Sequence, residues 1–489
     1  MLRKIRITLA TVMMIGITWL FLDFTGTAHR LVGGLAKLQF LEAVLALNFI
    51  VIAFLLVLTV ACGRIYCSII CSLGIMQDIF GWVGKKAKKN RYTYSKAISW
   101  LRYGVLAIFI VALVAGVGTI VQLLAPYSAF GRIATNLLQP AYQAGNNVLA
   151  SIAEHYDSYA FYQSEIWLRS VVSFIIAGVT LVTLGVLAWR NGRTYCNTIC
   201  PVGTVLSFFS RFSFLKIHFD VEKCKNCSLC TKNCKASCID YKTHTVDASR
   251  CVVCGDCISV CKHGALKYSM KVGDAGNSAT DPSKRSFLLA STLLATSALA
   301  QQKDKMMDGG LAEIQDKVAP ARQTPLTPPG SLSAQNMALR CTGCQLCISE
   351  CPNQVLRPSD DLMHLMQPVM SYERGYCRPE CNRCSEVCPA GAIKPIRHED
   401  KASTQIGHAV WIKKNCIPLT DGVECGNCAR HCPVGAIEMV PSDPDDDESP
   451  YVPAVNEARC IGCGACENLC PARPFSAIYV EGHEVHKEI

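Results

Sequence analysis

The chain has 489 residues, enough for roughly three domains, and 30 of them are cysteine. Half of its residues are hydrophobic and only 18% are charged, a balance that fits a chain partly housed in a membrane. The net charge of +10 is uneven: residues 301–489 carry 18 basic and 25 acidic side chains, leaving 30 and 13 of the chain's 48 and 38 for residues 1–300. Such asymmetry reports a membrane or nucleic-acid contact. With no recognition helix or basic-aromatic pattern in the sequence, nucleic acid drops out and the membrane stays.

Residues 7–22, 43–63, 103–131 and 170–189 are uncharged and apolar. The last three reach the roughly 20 residues needed to cross a hydrocarbon core. The first, 16 residues long, spans if Arg6 and Asp23 snorkel to the interfaces. Arg3, Lys4 and Arg6, the loop with Lys85, Lys86, Lys88, Lys89, Arg91 and Lys96, and the region after Trp189 are basic, whereas the alternate loops are not. The positive-inside rule then predicts a four-helix membrane domain over residues 1–215 with both ends in the cytoplasm.

That domain carries an internal repeat. Gly63, Arg64, Tyr66, Cys67, Cys71 and Gly74 after the second apolar stretch recur as Gly192, Arg193, Tyr195, Cys196, Cys200 and Gly203 after the fourth. The two halves are predicted to be parallel pseudo-repeats about an axis along the membrane normal. Cys-x3-Cys spacing puts both thiols of a copy on one face of a helical turn. Two readings fit Cys67, Cys71, Cys196 and Cys200: a convergent metal, cluster or redox-thiol site, or small buried cysteines packing short helices.

Two four-cysteine arrays follow, Cys224/Cys227/Cys230/Cys234 and Cys251/Cys254/Cys257/Cys261. Each has the Cys-x2-Cys-x2-Cys-x3-Cys run of bacterial 4Fe–4S ferredoxins, in which the fourth cysteine serves the other cluster. One cluster is therefore expected on Cys224, Cys227, Cys230 and Cys261, its partner on Cys251, Cys254, Cys257 and Cys234. Zinc sites use separated Cys-x2-Cys pairs rather than triplets with a trailing fourth. Residues 216–282 are predicted to form a cytoplasmic two-cluster domain of α+β ferredoxin type.

Residues 283–302 differ from the earlier apolar stretches. Lys284-Arg285, Phe287-Leu288 and an Ala/Ser/Thr/Leu run ending in Ala298-Leu299-Ala300 resemble a twin-arginine export signal, with lysine in the first arginine position. The bland alternative is a fifth membrane segment. Residues 303–338, with Gly309-Gly310 and Pro325, Pro328 and Pro329, read as a linker. Residues 339–489 then hold four more arrays, each ending in Cys-Pro: Cys341/Cys344/Cys347/Cys351, Cys377/Cys381/Cys384/Cys388, Cys416/Cys425/Cys428/Cys432 and Cys460/Cys463/Cys466/Cys470. Six 4Fe–4S clusters on 24 cysteines make the chain a wire for electrons, with Cys62 and Cys238 left over as expected non-ligands.

Residues 1–270 resemble the membrane polyferredoxin of periplasmic nitrate reductase systems (the NapH type), with its four helices, two Gly-Arg-x-Tyr-Cys-x3-Cys motifs and cytoplasmic cluster pair. Residues 283–489 resemble its periplasmic four-cluster partner (the NapG type). Ser72 replaces the motif proline of the first copy, Lys235 and Lys262 replace the prolines after the cytoplasmic arrays, and two subunits are fused. A cation beside the clusters is expected to raise their potential. The resemblance implies a bacterial inner-membrane protein, with residues 303–489 periplasmic, passing electrons from membrane quinol to a periplasmic reductase of nitrate-reductase type or to a cytochrome. The alternative is an accessory ferredoxin that supplies electrons to mature a metalloenzyme. No terminal catalytic site is visible, and His29 and His155 are isolated. In four-cluster ferredoxins of this type outer arrays pair with outer and inner with inner, which the like spacing of the first and fourth arrays also suggests. Cys470 is thus expected with the Cys341 array, Cys351 with the Cys460 array, Cys432 with the Cys377 array and Cys388 with the Cys416 array, nested into one compact body.

Overall fold

A computed structural model of the chain describes residues 2–23, 25–86, 92–158, 160–270, 315–446 and 449–489. The signal-like segment expected at 283–302 and the start of the linker lie outside these residues.

The apolar stretches become helices of unequal length. Helix α1 (Leu2–Leu22) starts within the basic N-terminus, α2 is Phe49–Cys62, α3 is Ser72–Lys86, α4 is Ser99–Val114, α5 is Pro126–Ile133, α6 is Val171–Asn191 and α7 is Pro201–Ser210. Among the described residues only α1 and α6, at 21 residues each, are long and apolar enough to cross a membrane. The two middle stretches break for local reasons. Asn48 caps α2, its side chain accepting the Val51 N–H at 3.3 Å, so residues 43–47 fall outside that helix. The stretch 103–131 is interrupted at Gly116, whose φ of 73° ends α4, and again at Pro126. A π-helical turn (Ala134–Leu138) follows α5 directly.

The first cluster domain is built between strands β1 (Leu215–Phe219) and β4 (Leu266–Met270), which pair antiparallel, with the β2 (Ile239–Asp240) and β3 (Thr245–Val246) hairpin between its arrays. The last domain repeats the plan twice. A hairpin of β5 (Leu356–Pro358) and β6 (Pro368–Met370) separates its first two arrays, and β8 (Ile437–Pro441) with β9 (Tyr451–Val455) separates the second two. Strands β7 (Thr404–Trp411) and β10 (Ile478–Glu488) flank the second unit. Residues 317–338, expected as linker, pack on this domain: Leu326 and Ser331 are buried, the Met370 N–H donates to the Leu326 carbonyl at 2.9 Å, and Arg322 pairs with Glu467 at 2.6 Å.

The two cluster domains sit at opposite ends of the long helices. At one end Arg3 of α1 pairs with Asp256 at 3.0 Å, and the Arg193 N–H just past α6 donates to the Lys235 carbonyl at 2.8 Å. At the other end Arg383 donates to the Thr25 carbonyl at 3.1 Å, and Ser170, which caps α6, bonds Asp360 at 2.6 Å. Twenty-one residues at 1.5 Å each make these helices about 30 Å long.

Candidate iron–sulfur sites

The strict arrays share one backbone device. In each, the residue before the second cysteine and the residue after it are left-handed: Asn226 and Ser228, Val253 and Gly255, Gly343 and Gln345, Gly462 and Gly464. Two such residues per loop coil three thiols about one centre and turn successive N–H groups inward, the nest geometry that suits an anionic cluster. Only some of these positions are glycine, so the loop conformation is imposed on Val253 and Gln345 despite its cost of about 1–2 kcal/mol per residue. Gly464 is the tightest: a Cβ there would overlap the Tyr372 ring, whose hydroxyl donates to the Gly462 carbonyl at 2.6 Å. Gly464→Ala is expected to cost about 2–4 kcal/mol from backbone strain and overpacking together. Thermal loss of cluster absorbance at an unchanged temperature would contradict this.

The fourth thiol of each set comes from the neighbouring array. Cys224, Cys227, Cys230 and Cys261 line one shared space. Burial raises the Cys254 and Cys257 thiols, and Cys234 raises both further, so it stands with the Cys251 array. In the last domain burial raises Cys341, Cys344 and Cys347, and Cys388 adds to all three. Burial raises Cys377 and Cys384, and Cys351 adds to both. Burial likewise raises Cys416 and Cys428, and both Cys425 and Cys470 add to each. Cys425 thus joins Cys416 and Cys428 although eight residues part it from Cys416, because a short helix (Ile417–Thr420) takes up half of that gap. Cys432 lines one shared space with Cys460, Cys463 and Cys466.

The nested pairing expected for the last domain is therefore wrong. Cys351 stands with the Cys377 array and Cys388 with the Cys341 array. Cys432 joins the Cys460 array, and the set of Cys416, Cys425 and Cys428, expected to take Cys388, takes Cys470 instead. The cause is topological: the β5–β6 and β8–β9 hairpins each return the chain so that consecutive arrays meet. The two units still pack into one body, because the Cys377 N–H donates to the Cys463 carbonyl at 2.9 Å and Tyr372 bridges them.

Backbone donors reach several trailing thiols. Ala265 donates to Cys261 Sγ at 3.3 Å, Ala436 to Cys432 at 3.2 Å and Ala477 to Cys470 at 3.3 Å. Hydrogen bonds to cluster sulfurs tune potential. Lys317 Nζ holds the Glu467, Asn468 and Cys470 carbonyls at 2.5–3.0 Å, and Lys401 holds those of Arg378 and Cys381. Among the described residues no three His, Cys, Asp or Glu side chains meet closely enough for a single metal ion. The Cys224 and Cys460 sets instead ring an intervening space, the arrangement a cubane needs and a lone zinc ion does not.

The four repeat cysteines converge. All are buried, and burial raises the Cys200 thiol, with Cys196, Cys71 and Cys67 close enough to add to the rise. The Cys-x3-Cys spacing does not fall in one helical turn as expected. Helices α3 and α7 start at Ser72 and Pro201, so the second cysteine of each copy sits just before a new helix; Cys200 caps α7, its Sγ accepting the Gly203 N–H at 3.3 Å. Ser72 therefore stands at the first helical position, where proline is tolerated but not required.

Sequence reasoning missed the two arginines that brace this quartet. Arg64 Nη2 donates to the Cys196 carbonyl at 3.1 Å and Arg193 Nη1 to the Cys67 carbonyl, so each repeat's arginine holds the other's cysteine. Gly74 and Gly203 make room: a Cβ on either would overlap the Cys67 or Cys196 carbonyl. The Gly-Arg before each Tyr-Cys was the available signal. Gln77 adds a donor, Nε2 to Cys196 Sγ at 3.4 Å.

The quartet lies between the cluster domains. Arg64 also donates to the Ser249 carbonyl at 3.0 Å, beside Cys251. On the other side Tyr66, among the buried core with Cys67 and Cys71, donates to Gln39 at 3.2 Å near Glu42. Glu42, pushed up to about 7 by burial, lies near Thr342, which is next to Cys341. The last domain docks there closely: Gly131 abuts the Cys344 carbonyl, Ser128 donates to the Gly343 carbonyl at 3.2 Å, and Asn136 on the π-turn donates to Gln345 at 2.7 Å. Lys235 does not leave an unbalanced cation beside its cluster as expected, because Asp78 and Asp256 face it at 2.7 and 3.4 Å. Lys262 is exposed. Cys238, set aside as a non-ligand, has its sulfur 3.5 Å from Cys234, and the Cys62 carbonyl accepts from Tyr268 at 2.8 Å.

Residues 423–473 match a 4Fe-4S dicluster domain family, residues 247–355 a second 4Fe-4S dicluster domain family, and residues 44–91 with 171–220 a 4Fe-4S binding domain family. The last of these takes in both copies of the repeat. The 247–355 match joins the Cys251 and Cys341 arrays, whereas the structure sets each beside a different partner. With these sets, the chain is an iron–sulfur electron-transfer protein of the ferredoxin type, holding several 4Fe–4S centres. It is 30% identical over 167 residues to the methylamine utilization ferredoxin-type protein MauM of Methylobacillus flagellatus, covering 33% of this chain and 70% of that protein. It is 29% identical to the ferredoxin-type proteins NapF and NapG of Escherichia coli, over 162 and 176 residues, covering 32% and 33% of this chain and 87% and 75% of theirs. The chain belongs to the same family of ferredoxin-type proteins as MauM.

Proposed function

We propose that the chain is a multi-pass inner-membrane electron carrier that takes electrons from membrane quinol and delivers them to a redox enzyme on the periplasmic side, of nitrate-reductase type. Six 4Fe–4S clusters occupy the paired arrays, and a seventh is held by Cys67, Cys71, Cys196 and Cys200. The observation that carries this reading is the quartet's position between the cluster domains, which stand at opposite ends of α1 and α6. A barrier of about 30 Å needs such a stepping stone. The Cys463–Cys377 contact supports a linear order in which the Cys341 set receives electrons from the quartet and passes them through the Cys377 and Cys460 sets to the Cys416 set. The chain's own residues ligate, shield from water and supply the N–H groups; the clusters supply the one-electron chemistry. The docked last domain reaches its side after export through the signal-like residues 283–302.

Reporter fusions placed after Tyr268 and after Ile489 should report opposite compartments, and a shared compartment would refute the topology. Anaerobically purified protein in detergent should be reduced by a short-chain quinol, seen as bleaching of the iron–sulfur absorbance. No bleaching by any quinol would remove quinol as the donor.

A further inference from the structure

A cavity of about 610 Å³ lies between α1, α3 and the first cluster domain. Its walls are largely apolar, formed by Ala10 and Met14 of α1 and by Ile75 and Trp82 of α3. Volumes of 300–1,000 Å³ with apolar walls and a few fixed polar groups are those of small-molecule sites. One end is polar: Arg6, Asp78, Arg193 and Lys235 all line it.

Three observations narrow the occupant. First, the polar end gathers three cations, Arg6, Arg193 and Lys235, around the single carboxylate of Asp78. A cationic, N–H-rich end beside apolar walls suits carbonyl or phenolic oxygens on an otherwise apolar molecule. Second, the cavity touches two thiol sets. Gln77, on its wall, donates to Cys196 Sγ at 3.4 Å, while Lys235 and Asp256, also on its wall, adjoin Cys234 and lie between Cys254 and Cys257. Third, α1, which forms one wall, is one of the two helices apolar and long enough to cross a membrane.

We propose that this cavity is the quinone site, with the ring oxygens held at the Arg6–Arg193 end and the isoprenoid tail running along α1. This rests on the quinol reading above and gives it a place. A quinol bound there loses its two phenolic protons and two electrons and leaves as quinone. The electrons pass one at a time to oxidised 4Fe–4S centres held by the flanking Cys234/Cys251/Cys254/Cys257 and Cys67/Cys71/Cys196/Cys200 sets. Both protons leave to water at the mouth, where Arg3 and Asp256 reach solvent. Oxidation thus releases protons on the first cluster domain's side.

The test uses the full-length protein with its clusters in detergent. A photoreactive short-chain quinone should label peptides within residues 7–15 and 75–82, competed by unlabelled quinone. Ala10→Trp, which fills the cavity, should cut labelling about tenfold or more while iron content is unchanged. If that variant loses its iron, Ile15→Trp at the exposed rim replaces it. Reduction by quinol in the unaltered protein together with labelling elsewhere, or with labelling untouched by the tryptophan, would overturn the cavity and leave the quinol reading standing. A phospholipid retained there that quinone fails to displace would also overturn it. Neither labelling nor reduction would overturn the quinol reading itself.

Discussion

Replacing Asp78 by Asn is expected to destabilise the assembled protein by about 3–5 kcal/mol, the usual consequence of removing one partner from a buried ion cluster. Asp78 accepts from Arg193 Nε at 2.8 Å, from Arg6 Nη1 at 2.7 Å and from Lys235 Nζ at 2.7 Å. These cations come from α1, from the second repeat and from the first cluster domain, so one carboxylate ties three segments far apart in sequence. Burial alone would raise its carboxyl, but Arg193, Lys235 and Arg6 outweigh burial and hold it well below the usual carboxylate range. A depressed folded value means that the stabilisation is fully present above the unfolded value of about 3.9 and fades only as pH falls toward the lower folded value. The deficit of Asp78→Asn should therefore be constant from about pH 5 to 8, read as an earlier thermal loss of cluster absorbance. A variant that melts with the unaltered protein at pH 7 would show that Asp78 is dispensable.

The double substitution Cys67→Ser with Cys196→Ser should lower iron from about 28 atoms per chain, four for each of seven sets, to about 24. It should also divide the wire. Under quinol, centres of the Cys224 and Cys251 arrays should still bleach, while the four of the last domain stay oxidised. Serine nearly preserves volume, so the packing of Arg64 and Arg193 against the opposite carbonyls gives the variant a route to folding. Unchanged iron would mean that the quartet holds no cluster.

The 4Fe–4S character was legible because it is local: in the strict arrays three cysteines within seven residues specify a loop whatever surrounds them. Which array supplies the fourth thiol was legible for the first domain, with only two arrays to choose between. It was misread in the last, where strands as short as Leu356–Pro358 and Pro368–Met370 decide it and carry no alternating pattern. The long apolar stretches announced helices, yet Asn48, Gly116 and Pro126 subdivide them through capping and backbone geometry that hydropathy does not register. Arg64 and Arg193 were visible only as members of the repeat, because their role exists only once the two copies face each other. Asp78 was silent for the same reason: three distant cations give it meaning.

The crossed arginines also set an order of events during synthesis. The Cys67 carbonyl receives its donor from Arg193, and Cys196 its donor from Arg64. While the ribosome has made only the first copy of the repeat, half of the thiols and the brace for Cys67 do not yet exist. The first copy is thus an unfinished half-site, and under the cluster reading proposed above it would offer two ligands rather than four. Synthesis of the second copy is then the event that completes the quartet.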